Sequence, residues 1–204
     1  MQNQNYIQTY LADMAAVLQR LSQTDINRAI ELLFAAWQQN RTVFFAGNGG
    51  SASTASHFAC DLAKWTRTEG RPPFKALSLT DHMPLISALV NDEGPASVFA
   101  DQLEALVGEG DVLVLISVHG GAGAGNAGAW SQNLLRALGV ARDKGAHTLG
   151  LSGFDGGALK EQADVCIVVP IDSTPQVESF HVALHHLLCD CLRQKILDSP
   201  QQGD

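Results

Sequence analysis

The stretch that most constrains the fold is DVLVLISV, residues 111–118, which is apolar without polar alternation. A short run of this kind is typical of a strand that is buried on both faces. Strands that alternate with helices predict an α/β fold, in which a parallel sheet is covered by helices on both faces. Four further segments share the apolar character, and a helical pattern follows each one: residues 42–46, 75–79, 147–151 and 164–169.

The composition limits the partners that this chain can have. Its 204 residues suit one domain, and 13 Lys and Arg against 21 Asp and Glu give a net charge of −8. Because no run is rich in Lys and Arg, we expect neither direct nucleic-acid binding nor attraction to an anionic membrane. A phosphate ligand would therefore be held by local N–H groups and hydroxyls. No apolar run approaches the roughly 20 residues that span a bilayer, and we expect a cytoplasmic protein.

Two helical patterns precede the first strand. The first covers residues 6–21 and places its apolar side chains on one face. The second begins at a cap formed by Thr24 or Asp25. We expect residues 1–40 to form a helical arm of the same domain, which packs on the body or on a partner chain. The main domain would then span residues 41–197, and residues 198–204 would be a disordered tail.

Two glycine-rich loops follow strands and are the first places to search for a ligand, because parallel sheets bind ligands beyond the carboxyl ends of their strands. The loop GNGGS, residues 47–51, leads into a helix, whose N–H groups attract an anion. The loop HGGAGAGNAGAW, residues 119–130, contains G-x-G-x-x-G, but the next strand ends without the acidic residue that dinucleotide binding needs. This second loop is expected to bind phosphate or to act as a lid.

Titratable side chains fall on two predicted helices. His57 and Asp61 are four residues apart and therefore share one helix face. The last helix carries Glu178, His185 and His186. Imidazole and carboxylate groups from two helices can hold a divalent metal or act as an acid–base pair.

Ordered motifs along most of the chain resemble those of one protein family. They are GNGGSASTASHFACDL, ALSLTD, LVNDEG, VFADQLEAL, GEGDVLVLIS, ARDKGAHTLGLSGFDGG and ADVCIVVP. These motifs resemble the sugar isomerase (SIS) domain family, and within it the phosphoheptose isomerases. The resemblance implies a five-stranded parallel sheet and a homotetramer with active sites between subunits. It also implies isomerisation of sedoheptulose 7-phosphate to D-glycero-D-manno-heptose 7-phosphate, which feeds the synthesis of bacterial surface heptose in lipopolysaccharide.

The resemblance also implies roles for individual residues. Asp61 and His186 would be the catalytic pair, acting by proton transfer through an enediol. A divalent metal, expected to be zinc, would be bound by His57, Asp61, Glu178 and His186. The substrate-binding residues would be Asn48, Gly49, Gly50, Ser51, Asn91, Asp92, Ser117, His119 and Glu178. The family has Glu at the position of Asp61 and Gln at that of Glu178, but the present side chains can also bind a metal.

Helix geometry leaves one metal ligand open. At about 100° per residue, Glu178 and His185 differ by about 20° around the helix, whereas Glu178 and His186 differ by about 80°. Spacing alone therefore favours His185, and the resemblance favours His186.

The phosphate loop departs from the family pattern. Relatives read Ser-Thr-Ser-Gly-Asn-Ser there, whereas this chain keeps Ser117, has Val118 and His119 next, and carries about nine extra residues after Gly120. His119 or the N–H groups of the extra glycines would replace the missing hydroxyls. Two alternatives follow from the altered loop. The protein would isomerise a different sugar, or it would be a non-catalytic SIS-domain binding protein of the kind that associates with a replication initiator.

Overall fold

A computed structural model describes residues 2–121 and 131–200 of the chain. The helices are α1 (Gln2–Leu18), α2 (Gln23–Gln38), α3 (Gly50–Lys64), α4 (Met83–Asp92), α5 (Ala100–Glu104), α6 (Gln132–Asp143), α7 (Gly157–Gln162) and α8 (Thr174–Asp198). The strands are β1 (Thr42–Gly47), β2 (Lys75–Ser78), β3 (Val112–Ser117), β4 (His147–Gly153) and β5 (Val165–Val169).

The five strands form one parallel sheet in the order β2-β1-β3-β4-β5. Side chains of β3 alternate between its two faces, and all of them are buried. Val114 packs in a core with α2, α3 and α8, while Leu113 packs on the other face with α5, α6 and α7. The predicted parallel sheet with helices on both faces is confirmed.

The first helix buries only part of its predicted apolar face. Val17 is fully buried, and the side-chain amide of Gln176 donates to the carbonyl of Tyr10 at 3.2 Å, which ties α1 to α8. Met14 is partly buried against the same core, whereas four large side chains of α1 are exposed: Tyr6, Ile7, Leu11 and Leu18. The division of the chain at residue 40 stays a prediction, although α2 contributes several buried side chains to the first core.

The expected cap of the second helix was wrong. The N-cap is Ser22, whose hydroxyl accepts a hydrogen bond from the N–H of Asp25 at 3.2 Å. The helix therefore begins one residue before Thr24, because a hydroxyl three positions before Asp25 satisfies its N–H group.

The last helix extends through residue 198, where the predicted tail was to begin. Beyond it, the guanidinium of Arg71 donates to the carbonyls of Ser199 and Pro200. Residues 201–204 lie outside the described residues, so their predicted disorder stays a prediction. Among the residues described, no helix combines the length and the apolar character needed to cross a membrane.

Buried His181 in α8 makes stability depend on pH. Its side chain is fully buried, and burial lowers the pKa of its imidazole from 6.5 to about 4. The unfolded chain therefore binds a proton between these pH values, and the folded protein does not. The stabilising effect is complete above pH 6.5 and is lost as the pH falls toward 4. Since one pKa unit equals about 1.4 kcal/mol, we expect the free energy of unfolding to fall by about 3 kcal/mol through this residue.

Urea unfolding of metal-free protein between pH 7.5 and 4 measures this effect. The variant His181→Leu should show a flatter dependence on pH than the unmodified chain, since leucine has no proton to bind. Parallel pH profiles for the two proteins would contradict the assignment.

Candidate functional site

The loops after β1 and β3 meet at the carboxyl edge of the sheet, because these strands are neighbours. At the end of β1, a Cβ on Gly47 would lie 2.6 Å from the carbonyl carbon of Ser51. Only glycine allows α3 to begin so close to the strand. The first turn of α3 is thereby held at the sheet edge, where ligands of parallel sheets bind.

The two loops enclose a pocket, here called the loop pocket, whose polar lining is Asn48, Ser51, Ser117, His119, Ser131 and Glu178. The hydroxyl oxygen of Ser117 accepts a hydrogen bond from the N–H of Gly121 at 3.1 Å. That bond leaves the hydroxyl proton of Ser117 available for a ligand. The imidazole of His119 packs against the ring of Phe154, with the ring centres 4.3 Å apart.

The chemistry of the loop pocket suits an anion. The helix α3 starts there, and within the described part of the chain its N-cap, Gly49, makes no side-chain capping hydrogen bond. The hydroxyls of Ser51, Ser117 and Ser131 are donors that phosphate accepts from, and the positive end of the α3 helix dipole lies beside them.

Two residues of this region, Ser131 and Asn133, were not among the site residues predicted from the sequence. Ser131 lines the loop pocket, and Asn133 forms a reciprocal amide pair with Asn48, at 2.9 and 3.0 Å. The sequence contained a signal for them, because both polar side chains lie at the start of the helical pattern that follows the extra residues. Residues 122–130, with most of the glycine loop, lie outside the described residues, so its role as a lid or phosphate loop stays a prediction.

Glu178 of α8 reaches the start of α3. A Cβ on Gly50 would overlap the carboxylate of Glu178, so this carboxylate packs directly against the backbone of Gly50. Of the described residues that line the loop pocket, Glu178 is the only acidic one. Its carboxylate is therefore placed to accept hydrogen bonds from hydroxyl groups of a ligand.

Further along the same two helices lies a group of four side chains, here called the imidazole cluster: His57, Asp61, His185 and His186. One atom, Oδ2 of Asp61, lies 3.2 Å from Nε2 of His185 and 3.4 Å from Nε2 of both His57 and His186. One ligand atom from each residue lies within 4.8 Å of all the others. Three imidazoles thus converge on one carboxylate oxygen.

The spacing and the donor types fit a divalent metal. Tetrahedral zinc binds nitrogen and oxygen at about 2.0–2.2 Å, which places two ligand atoms about 3.3–3.6 Å apart. Burial is the main cause that lowers the pKa of His185 to about 4, and neighbouring His186 and His57 lower it further. Its imidazole is therefore neutral near pH 7, which is the form that binds metals.

The loop pocket and the imidazole cluster are two separate places along the contact between α3 and α8, which run side by side in the same direction. Glu178 contacts Gly50, His185 contacts Asp61, and the indole N–H of Trp65 donates to Oδ1 of Asp190 at 2.6 Å. Along α8, Glu178 precedes His185 by seven residues, or about 10 Å.

Most of the predicted site residues are brought together in these two places. Asn48, Ser51, Ser117, His119 and Glu178 line the loop pocket, with Gly49 and Gly50 beside it. Glu178 lies outside the group of close ligand atoms, whereas His185 lies inside it.

Two predicted residues are found elsewhere. Asn91 and Asp92 are exposed at the end of α4, where the amide of Asn91 donates to the carboxylate of Asp92 at 2.7 Å. They line neither the loop pocket nor the imidazole cluster, so their role in binding substrate stays a prediction.

A doubly covered parallel sheet, with an anion pocket at its carboxyl edge and a histidine–carboxylate cluster beside it, defines an α/β protein that handles a small phosphorylated ligand. Comparison with known proteins identifies the family within this class. The model of the SIS domain family matches residues 9–153, so the chain belongs to the SIS domain family.

Individual relatives cover nearly the whole chain. Phosphoheptose isomerase from Helicobacter pylori strain P12 is 36% identical over 187 residues, which are 91% of this chain and 92% of that protein. The lincomycin biosynthesis protein LmbN from Streptomyces lincolnensis is 40% identical over 90% of this chain and 67% of its own length. The solved structure of a phosphoheptose isomerase from Francisella tularensis superposes with a TM-score of 0.84 at 29% identity, over 95% of this chain and all of that chain.

Proposed function

We propose that this protein is a phosphosugar isomerase that converts sedoheptulose 7-phosphate to D-glycero-D-manno-heptose 7-phosphate. The observation that carries the proposal is that the loop pocket and the imidazole cluster both lie along the contact between α3 and α8. This arrangement occurs in a chain that is 36% identical to a phosphoheptose isomerase across almost all of both proteins. The product would supply heptose for the synthesis of bacterial surface lipopolysaccharide.

The loop pocket would bind the phosphate. Three hydroxyls from different parts of the chain, those of Ser51, Ser117 and Ser131, line it together with the N-terminus of α3. Local donors of this kind can hold an anion although the whole chain carries a charge of −8. His119 stands where relatives have a hydroxyl, and it would add a donor when protonated.

The spacing of the loop pocket and the imidazole cluster along α8 agrees with the length of an open-chain heptose phosphate. An extended chain of seven carbons with a terminal phosphate is about 10 Å long, since each C–C bond of about 1.5 Å advances about 1.25 Å along a zigzag. The rise from Glu178 to His185 along α8 is also about 10 Å. With its phosphate in the loop pocket, the sugar would reach the imidazole cluster with C1 and C2.

Proton transfer between C1 and C2 would be carried by Asp61 and His186. Asp61 contacts the three imidazoles through Oδ2, which leaves Oδ1 to take the proton from C1 and return it to C2. The half-exposed ring of His186 has its Nε2 in the cluster, so its Nδ1–H would give a proton to the oxygen on C2, and Nδ1 would then take the proton from the hydroxyl on C1. These two transfers convert the ketose to an enediol and the enediol to the aldose.

A divalent metal would be held in the imidazole cluster, and its tetrahedral spacing and nitrogen donors favour zinc. His57, Asp61 and His186 are the ligands that the resemblance and the geometry have in common. When bound, such an ion either polarises a substrate carbonyl or orders the side chains around it.

A homotetramer with active sites between subunits stays part of the proposal. In the described part of the chain, no residue of α4 is buried, although most of its side chains are apolar. Together with the exposed apolar side chains of α1, this surface is suited to contact other copies of the chain. The cytoplasmic location and the absence of nucleic-acid and membrane partners remain predictions from the sequence.

Turnover of a panel of sugars tests the proposal. Zinc-loaded protein is incubated with sedoheptulose 7-phosphate, shorter ketose phosphates, and sedoheptulose without phosphate, and products are separated by chromatography. We expect the heptose phosphate to be the best substrate and unphosphorylated sedoheptulose to be the poorest, since only the phosphate uses the loop pocket. Equal rates with and without phosphate would contradict this use of the pocket.

A second candidate is isomerisation of another phosphorylated sugar. It is favoured by the 40% identity to a lincomycin biosynthesis protein and by His119 in the loop pocket. A faster reaction with another member of the panel would select it. Folded, metal-loaded protein that turns over none of the sugars would instead favour a non-catalytic binding protein.

A further inference from the structure

We infer that His185 completes the metal site, so that His57, Asp61, His185 and His186 of a single chain provide all four protein ligands and Glu178 is not one of them. The inference rests on the proposed function only in taking a divalent metal to be bound. It adds a ligand that the family resemblance does not assign, and it gives the metal a role in ordering the site.

His185 lies as close to Asp61 as the other two histidines of the cluster do. Its Nε2 lies 3.2 Å from Oδ2 of Asp61, slightly closer than the 3.4 Å of both His57 and His186. These three separations, all measured from Oδ2 of Asp61, are within about 0.1 Å of the edges of a tetrahedron around zinc, which are about 3.3–3.6 Å long. The ring contacts of His185 with His57 and His186, with centres 4.5 and 4.1 Å apart, keep the imidazoles together.

The position of His185 is fixed before any metal binds. Its side chain is fully buried, and its ring stacks on Phe58 at a centre-to-centre distance of 5.4 Å. His57 and His186 are about half exposed, so their rings are held less firmly. A rigid first ligand lowers the entropy lost when the others close around an ion.

Hydrogen bonding satisfies only one ring nitrogen of this buried histidine, since Nε2 lies 3.2 Å from Oδ2 of Asp61. Nδ1 of His185 has no hydrogen-bond partner among residues 2–121 and 131–200. A leucine would fill similar space without leaving a polar atom unpaired. The histidine therefore costs stability at this place, and what it offers in return is Nε2, which faces the same carboxylate oxygen as Nε2 of His57 and of His186.

Glu178 is engaged elsewhere on α8. Its carboxylate lies against Gly50 in the loop pocket, about 10 Å of helix before His185. With His185 in place, four protein ligands surround the ion, and a tetrahedral site of this kind has no open position. The metal would then join α3 to α8 and orient Asp61 and His186, while Glu178 remains available for hydroxyl groups of the sugar.

Metal affinity of three matched variants tests the inference. Competition with a chromogenic chelator measures zinc binding to the purified protein, and elemental analysis gives the stoichiometry. We expect His185→Leu to bind zinc at least about 100-fold more weakly than the unmodified chain, since it loses a ligand. His181→Leu is the matched control, because it removes another buried histidine of α8 that lies outside the cluster. It should bind zinc normally, as should Glu178→Ala.

The opposite pattern would overturn the inference: unchanged affinity in His185→Leu, or a loss of zinc in Glu178→Ala. If His185→Leu does not fold, X-ray absorption of the unmodified zinc protein decides, with three imidazoles expected and two contradicting the inference. Neither readout uses sugar turnover. A protein with three imidazoles on zinc and no isomerase activity would therefore refute the proposed function and leave this inference standing.

Discussion

Asp61→Asn is expected to lower kcat for the isomerisation of sedoheptulose 7-phosphate by about 100- to 10,000-fold, which is the usual contribution of a general base. An amide has nearly the same shape as the carboxylate but does not accept a proton from carbon. The change also alters the atom on which three imidazoles converge. The rate is therefore measured at saturating zinc, with metal content determined in the same sample.

Two further variants separate these effects. Asp61→Glu keeps a carboxylate and restores the residue of the family, so it should retain far more activity than Asp61→Asn. Asp143→Asn removes an exposed carboxylate at the end of α6, outside the imidazole cluster, and its kcat should equal that of the unmodified enzyme. Full activity of metal-loaded Asp61→Asn would exclude Asp61 as the base.

Loss of the hydroxyls in the loop pocket is expected to act on substrate binding. A hydrogen bond to a charged group contributes about 1.5–3 kcal/mol. Ser117→Ala and Ser131→Ala should therefore each raise KM by about 10- to 100-fold, with a much smaller change in kcat. Steady-state kinetics with the phosphorylated heptulose measure both constants.

The control for these variants is Ser87→Ala, since the hydroxyl of Ser87 donates to the carbonyl of Pro84 within α4 and does not line the pocket. Ser117 also accepts a bond from Gly121, so the free energy of unfolding is measured beside its KM. The hydroxyl of Ser131 accepts a longer bond, from Nδ2 of Asn48 at 3.4 Å, so the same control is applied to it. If KM is unchanged in both pocket variants, the phosphate binds elsewhere.

The architecture could be predicted from the sequence because its strands are buried on both faces. A run such as VLVLIS has one interpretation in a chain of this size, and β3 was found within the predicted 111–118. Burial of α1 could not be predicted in the same way. Its apolar periodicity defines a face, but Leu11 is 61% exposed, since periodicity does not say whether the covering surface belongs to the same chain.

The site residues that lie on one helix could be predicted from the sequence, whereas those that come together from distant segments could not. The spacing of His57 and Asp61 places both on one face, and the structure joins them at 3.4 Å. Helix spacing favoured His185 and the family resemblance favoured His186, and the structure places both side chains in the cluster. Ser131 was missed because about nine extra residues separate it from Ser117 in the sequence, while the pocket brings them together.

The most direct test of the central claim is proton NMR of the zinc-loaded protein with sedoheptulose 7-phosphate in D2O. An isomerase that works through an enediol exchanges the migrating proton with solvent. We predict that D-glycero-D-manno-heptose 7-phosphate appears with deuterium at C2, and that the remaining ketose gains deuterium at C1. A folded, metal-loaded protein that produces no aldose and exchanges no proton at C1 would contradict the claim that this chain is a phosphosugar isomerase of this substrate.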